Sequence, residues 1–190
     1  MNLTETQTIR AKSWMLELFE DSKKQLAPKP SCVIKRELDY DIQAYLDLHK
    51  RVSVGLSWFE RLLMSESEVA KIVHDPATHL LIMYENKVPI GLLEMHKEDN
   101  NKEVRIIYFG ILEEYIGRGY GDFFFNHAIA YAFHLHIARL YLSTCSLDHP
   151  RAIQFYQHQG LKIYNESLVD ERVPKGYTPR YSIENSILTK

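Results

Sequence analysis

Cysteine is scarce in this chain: Cys32 and Cys145 are the only two in 190 residues, far apart and without metal-ligand spacing. That excludes a disulfide framework and fits a reducing compartment. Long apolar runs are also missing. None approaches the ~20 residues that a bilayer-crossing helix needs. The start, Met1 to Arg10, is polar, so no secretory signal is expected and a cytoplasmic location is the default. Nor is there an excess of positive charge. Lys and Arg total 23 against 25 Asp and Glu, a net charge of −2, which argues against a nucleic-acid partner held by clustered basic side chains. The nine histidines include no H-E-x-x-H or comparable cluster, only scattered pairs such as His134 and His136, so no metal is expected. No repeat or low-complexity segment appears.

What is present is an ordinary globular composition, 45% hydrophobic and 25% charged, long enough for one sizeable core and a short appendage. Thr4 to Gln25 reads as a helix, with Ile9, Trp14, Met15, Leu16, Leu18, Phe19 and Leu26 on a broad apolar face, before Ala27-Pro28-Lys29-Pro30 stops it. Residues 1–29 are therefore expected as a helical extension that packs on the domain or offers a homodimer contact. A first strand, Cys32 to Leu38, precedes a helix capped by Asp39 or Asp41. A second helix, Ser65 to His74, opens with capping-box spacing between Ser65 and Glu68. Three strands follow: Thr78 to Tyr84, Val88 to Met95 and Val104 to Leu112. A helix from Asp122 to Ile137, rich in core aromatics, leads to the strand Arg139 to Cys145. Another helix then starts at Asp148-His149-Pro150 and ends at Gly160. A strand from Leu161 to Val169, the loop Asp170 to Pro179 and a last strand near Tyr181 to Ile187 close the chain as a hairpin. This order predicts an α/β (α+β) fold with a mixed, mostly antiparallel central sheet and helices on both faces.

Three alternating glycines, Gly117, Gly119 and Gly121, sit where a strand turns into a helix. Such a turn leaves N–H groups and the positive end of a helix dipole facing outward, a ready site for phosphate. Glycine permits φ > 0 and close approach of a ligand. The spacing is not G-x-G-x-x-G after an early strand, and no Lys-Ser or Lys-Thr follows, which excludes the dinucleotide and P-loop readings.

Two stretches together resemble the GNAT superfamily of acetyl-CoA-dependent N-acetyltransferases. Tyr115-Ile116-Gly117-Arg118-Gly119-Tyr120-Gly121 is similar to its pyrophosphate loop, Q/R-x-x-G-x-G/A. Asp148 to Leu161, with Ala152, Tyr156 and Gly160, is similar to its N-x-x-A-x-x-x-Y-x-x-x-G-F segment. The resemblance covers residues 30–190, taken as the acetyltransferase domain, and Phe109-Gly110 and Thr144 to Pro150 look like a bacterial branch. Ile116 departs from Gln or Arg, His149 from Asn and Leu161 from Phe.

The resemblance implies acetyl-CoA as cosubstrate, with no metal. Its contacts would come from Phe109, Gly110, Ile111, Ile116, Gly117, Arg118, Gly119, Tyr120, Gly121, Asp122, His149 and Tyr156. Backbone N–H groups of the strand before the glycine turn would stabilise the acyl oxygen. Gly110 would mark the splay that admits pantetheine. Tyr156 is the implied general acid, its ordinary phenol pKa of ~10 lying above the ~8.5 of a thiol. Glu94, set among apolar residues, is the candidate base, with Glu103 at the start of the next strand also noted and the alternative of a solvated or structurally paired carboxylate. Asp148 is read as a helix cap and Cys145 as a small buried hydrophobe. The acceptor, a small-molecule or peptide primary amine, would lie along Val54 to Leu63 and Asp170 to Pro179, with Trp58 and Glu60 in contact. The alternative is a non-catalytic module that binds acyl-CoA as a sensor or scaffold.

Overall fold

A computed structural model describes residues 5–19, 31–98 and 102–181 and the backbone of 187–188. The strands are β1 (Thr6–Leu18), β2 (Cys32–Glu37), β3 (Thr78–Glu85), β4 (Val88–Lys97), β5 (Glu103–Ile111), β6 (Arg139–Cys145), β7 (Lys162–Pro174) and β8 (Ile187–Leu188). The helices are α1 (Ile42–Val52), α2 (Glu66–Val73), α3 (Tyr120–His134) and α4 (Ala152–His158). The strands form one sheet in the order β2-β3-β4-β5-β6-β1-β7, with β8 beside β1. Every described pairing is antiparallel except β5 with β6. The mixed, mostly antiparallel sheet expected from the element order is therefore observed.

Helices cover both faces because β4 alternates. A Cβ added to Gly91 would meet the Phe124 ring of α3 at 3.0 Å, whereas Glu94, an odd number of residues along, receives the Tyr45 hydroxyl of α1 from the other face. Local signals act as expected at two helix starts. Asp41 accepts from the Ala44 N–H, and Ser65 with Glu68 forms a reciprocal capping box.

The N-terminal expectation is overturned. In place of a helix over Thr4 to Gln25, residues 6–18 form a strand between β6 and β7, and 20–25 lie outside the described residues. The reason lies in the burial pattern. Ile9, Ala11 and Ser13 are buried at odd positions, but Trp14, Leu16 and Leu18 at even ones. The first half contributes to a small cluster with Leu147, Val173 and Tyr177, and the second half to the main core. A strand whose halves bury opposite faces puts apolar residues on both parities and imitates a helical stripe. The segment is thus an interior strand of the main sheet rather than an appendage to it.

The C-terminal expectation also changes. β7 runs on to Pro174, through the start of the expected loop, because Thr6 to Glu17 of β1 gives it a pairing partner along its length. The last strand pairs with β1 through Ile9↔Leu188 and Arg10↔Ile187, not with β7 as a hairpin. Residues 182–186 of that expected strand lie outside the described residues.

Candidate active site

The parallel pair β5–β6 creates the site. Its register runs only from Glu103↔Arg139 to Ile106↔Leu142. Beyond that, β5 continues to Ile111 and β6 to Cys145, unpaired with each other. A bulge helps to part them: Glu94 faces Tyr108 and Met95 faces Ile106, so Ile107 is the extra residue on β5. A bulge bends its strand and increases its twist. The result is a wedge through the sheet, with a cleft opening on each side of it.

The first cleft, about 490 Å³, runs from the wedge to the start of α3 and includes Phe109, Gly110, Ile111, Ser143, Thr144, His149 and Tyr156. Its far end is the glycine turn. Gly117 and Gly119 have φ of +76° and +79°, and a Cβ added at Gly117 would find no heavy atom within 4 Å. That open hollow, next to the first turn of α3, suits a phosphate group approached by backbone N–H donors. Ile116, Gly117, Gly119, Gly121 and Asp122 line the cleft. Ile116 is about two-fifths exposed and offers no polar side-chain atom. Arg118 and Tyr120 are not among the lining residues. The Arg118 guanidinium sits 5.5 Å from the Tyr115 and Tyr120 ring centres, and the Tyr120 hydroxyl donates to Glu85. These two brace the turn from behind. Arg51, Arg151 and Arg180 line the same cleft, a basic contribution that came from three separate segments and had no linear motif to announce it.

The apolar wall of this cleft is aromatic. Phe109 and Phe155 stack at 5.7 Å and 9°, and Phe125 packs edge-on to both. Tyr156 is buried, 5.3 Å from Phe125. Burial, reinforced by the charge of Asp148, pushes its phenol well above the ordinary range, so it stays protonated as a donor. His149 lines the same cleft. Its Nδ1 accepts from the Arg151 N–H at 3.2 Å and its ring lies 5.1 Å from that of Tyr181. Partial burial, followed by Arg151 and Arg180, lowers its pKa.

Asp148 does not cap a helix. One carboxylate oxygen accepts from the Trp58 indole at 2.9 Å; the other accepts from the Thr144 hydroxyl at 2.7 Å and the Cys145 N–H at 2.9 Å. It clamps the loop carrying Trp58 to the open end of β6, which a capping pattern in sequence could not reveal. Gly110 likewise has a packing reason on one side: an added Cβ would lie 3.1 Å from the Val52 Cβ and 3.3 Å from the Trp58 ring. It makes room for these side chains, rather than only for a ligand.

Glu94 does not belong to either cleft. It is 1% exposed, bound to Arg61 at 2.7 Å through one oxygen and to the Tyr45 hydroxyl at 2.5 Å through the other. The apolar neighbours that suggested a perturbed base in fact surround a buried ion pair, with the Arg61 guanidinium also 5.3 Å from the Tyr108 ring centre. His49 lies close by, its Nε2 3.1 Å from the Trp58 carbonyl and its pKa lowered to about 4 by burial. A neutral His49 fixes the Trp58 backbone from below.

The second cleft, about 520 Å³, lies on the other side of the wedge. It joins Ser57, Trp58, Glu60 and Leu63 to Asp170, Glu171 and Arg172, the two segments expected to flank an acceptor, although β7 supplies the latter as strand, not loop. Trp58, Ile107, Ser143, Thr144 and Asp148 line both clefts. Cys145 borders the second cleft, and burial with the Asp148 charge pushes its thiol up, which keeps it protonated and a poor nucleophile.

A strand pair that parts in mid-sheet beside a glycine turn opening a helix is the splay that the sequence resemblance implied. The acetyltransferase (GNAT) family model matches residues 42–161, well over half of the chain, and the chain belongs to that family. The family uses acetyl-CoA as cosubstrate. No protein of curated function matches the sequence significantly. Among solved structures, a GCN5-related N-acetyltransferase from Sphaerobacter thermophilus superposes with a TM-score of 0.64 at 17% identity, covering 85% of this chain and 51% of its own. A protein of unknown function from Staphylococcus epidermidis gives 0.60 at 19% identity, covering 88% and 62%. A chimeric spermidine N-acetyltransferase from Vibrio cholerae gives 0.58 at 18% identity, covering 76% and 96%. The chain thus spans only about half to three-fifths of the first two. Among the described residues no helix is long and apolar enough to cross a membrane.

Proposed function

We propose that the chain is an N-acetyltransferase that moves the acetyl group of acetyl-CoA directly to a primary amine of a small molecule or peptide. The observation that carries this reading is the meeting of two clefts at the wedge between β5 and β6, where five residues line both. A donor in one cleft and an acceptor in the other would face each other there, and holding two reactants together accounts for much of the acceleration of a bimolecular transfer.

Each part of the first cleft has a task in this reading. The glycine turn and the first turn of α3 receive the pyrophosphate through N–H groups, and Arg51, Arg151 and Arg180 balance the remaining charge. The stretch of β5 from Phe109 to Ile111 is paired with β4 on one edge but has parted from β6 on the other, and from that free edge it offers backbone N–H groups to the acyl oxygen as negative charge gathers on it. Tyr156, held protonated by burial, donates to the departing sulfur. Asp148 orients Trp58 across the wedge between the reactants.

The test is thiol release from acetyl-CoA by the purified protein in the presence of a panel of primary amines. Amine-dependent release is expected, with the acetylated amine detected by mass. If acetyl-CoA raises the thermal midpoint yet no amine raises release above background, the chain is a non-catalytic acyl-CoA-binding module instead.

A further inference from the structure

The second cleft is not evenly charged. Four carboxylates, Glu60, Asp148, Asp170 and Glu171, line it, against Arg105 and Arg172. Two of the four are already committed. Asp148 accepts three hydrogen bonds, and Asp170 is held by Arg10 through two, at 2.8 and 3.0 Å. Glu60 receives the Tyr108 hydroxyl at 3.3 Å and lies 3.6 Å from the Arg61 guanidinium. Glu171 differs from all of them. It is half-buried, and among the described residues it makes no hydrogen bond or ion pair within the protein. It projects from the same strand face as Val169 and Val173, which pack on the Ile9–Leu147–Tyr177 cluster, so its carboxylate is carried inward to the cleft by its own apolar neighbours.

We propose that Glu171 is the general base of the transfer and that the acceptor it serves is a cationic substrate, a primary ammonium carried on a molecule with at least one further positive charge. This rests on the acetyltransferase reading above. A carboxylate that faces a cleft without an ion-pair partner of its own, near Asp148 and Glu60, lacks the partner that a substrate ammonium would supply. The same surroundings favour a proton on Glu171. Burial first, then Asp148, then Glu60 raise its pKa, toward the range in which a carboxylate accepts a proton efficiently near neutrality. The other groups facing the cleft do not compete. The Cys145 thiol and the Tyr108 phenol are pushed up by burial and stay protonated, while Arg105 and Arg172 lack a lone pair to offer.

The proton account closes. An ammonium, R–NH₃⁺, gives one proton to Glu171, and the freed nitrogen lone pair forms the bond to the acyl carbon. The carbon–sulfur bond breaks and its electron pair stays on sulfur, which takes the Tyr156 proton. The nitrogen releases its second surplus proton as the amide forms, and through solvent this returns to Tyr156. Glu171 discharges its own to water, so one proton is released per turnover.

The experiment compares wild type, Glu171→Gln and Glu171→Asp, with a linear diamine and an amino acid of the same chain length as acceptors. Wild type is expected to favour the diamine in kcat/KM by at least about tenfold. Glu171→Gln is expected to lower kcat by about 100-fold or more, with the acetyl-CoA KM unchanged and Glu171→Asp retaining part of the rate. In wild type, kcat/KM rises with pH as Glu171 ionises; in the Gln variant the rise should follow only the amine's own titration. The thermal midpoint separates this role from a structural one. A carboxyl whose pKa is raised on folding destabilises the fold when ionised, so Glu171→Gln should keep or raise the midpoint at neutral pH, whereas loss of a structural ion pair would lower it. Turnover of Glu171→Gln within threefold of wild type, or a preference for the amino acid, overturns the proposal and leaves the acetyltransferase reading standing. If wild type acetylates no amine, both fall together.

Discussion

Replacing Glu94 by Gln distinguishes a buried structural charge from a catalytic base, and the structure sets the size of the effect. Glu94 and Arg61 have side chains 1% and 6% exposed, with their charged atoms 2.7 Å apart. Removing one partner of such a pair typically costs 3–5 kcal/mol, because the other charge remains buried without compensation. Here Glu60, 3.6 Å from the same guanidinium but largely exposed, offers a weak substitute, and Gln can still accept from Tyr45. The lower end, about 3 kcal/mol, is therefore expected. For a domain of this length each kcal/mol moves the midpoint by about 2–4 °C, so thermal denaturation should show a fall of about 6–12 °C. Adding Arg61→Met to Glu94→Gln should recover much of that loss, since the orphaned charge is gone and its volume is filled by an apolar side chain. Acetyl transfer by the single variant, measured well below its midpoint, should stay within a few-fold of wild type. A midpoint within about 2 °C of wild type together with a hundredfold loss of turnover would refute the argument and restore Glu94 as the base.

Three other outcomes follow from the same geometry. Gly117→Asp should abolish acetyl-CoA binding by calorimetry while leaving the fold: its Cβ meets open space, the φ of +76° adds about 1–2 kcal/mol of strain, and a carboxylate would stand where phosphate is expected. Unchanged affinity would remove the phosphate assignment. Tyr156→Phe keeps the ring packing against Phe125 and should reduce turnover by about 100-fold or more. Because burial raises the phenol pKa, its proton is present throughout the neutral range, and wild type should show no fall in rate from Tyr156 deprotonation below about pH 10; a descending limb near neutrality that disappears in the Phe variant would contradict this. Deleting residues 1–19 should prevent folding altogether, as judged by circular dichroism, because β1 pairs with both β6 and β7 and buries Trp14, Leu16 and Leu18. A folded, cooperative fragment would show that the strand is dispensable.

By itself the sequence determined what is local. The capping box at Ser65, an acidic cap at Asp39 or Asp41, the glycines that need positive φ, and the two motif segments at 115–121 and 148–161 are encoded within a few residues of each other, so their spacing could be read directly. It also carried the element order that makes the sheet mixed. Tertiary structure decided whatever depends on residues far apart. The role of Glu94 turned on Arg61 and Tyr45, each more than 30 positions away, and the same apolar setting that suggests a tuned base also suits a buried ion pair. The N-terminal segment looked helical because its two halves bury opposite faces, a pattern that acquires meaning only when β6 and β7 stand on either side. The clamp from Asp148 to Trp58 spans 90 positions, and Glu171 reached the second cleft through a pairing of β7 with β1 that joins opposite ends of the chain. Hydrogen bonds and burial act over a few ångströms of space rather than along the sequence, and that is why the motifs were legible and the charges around them were not.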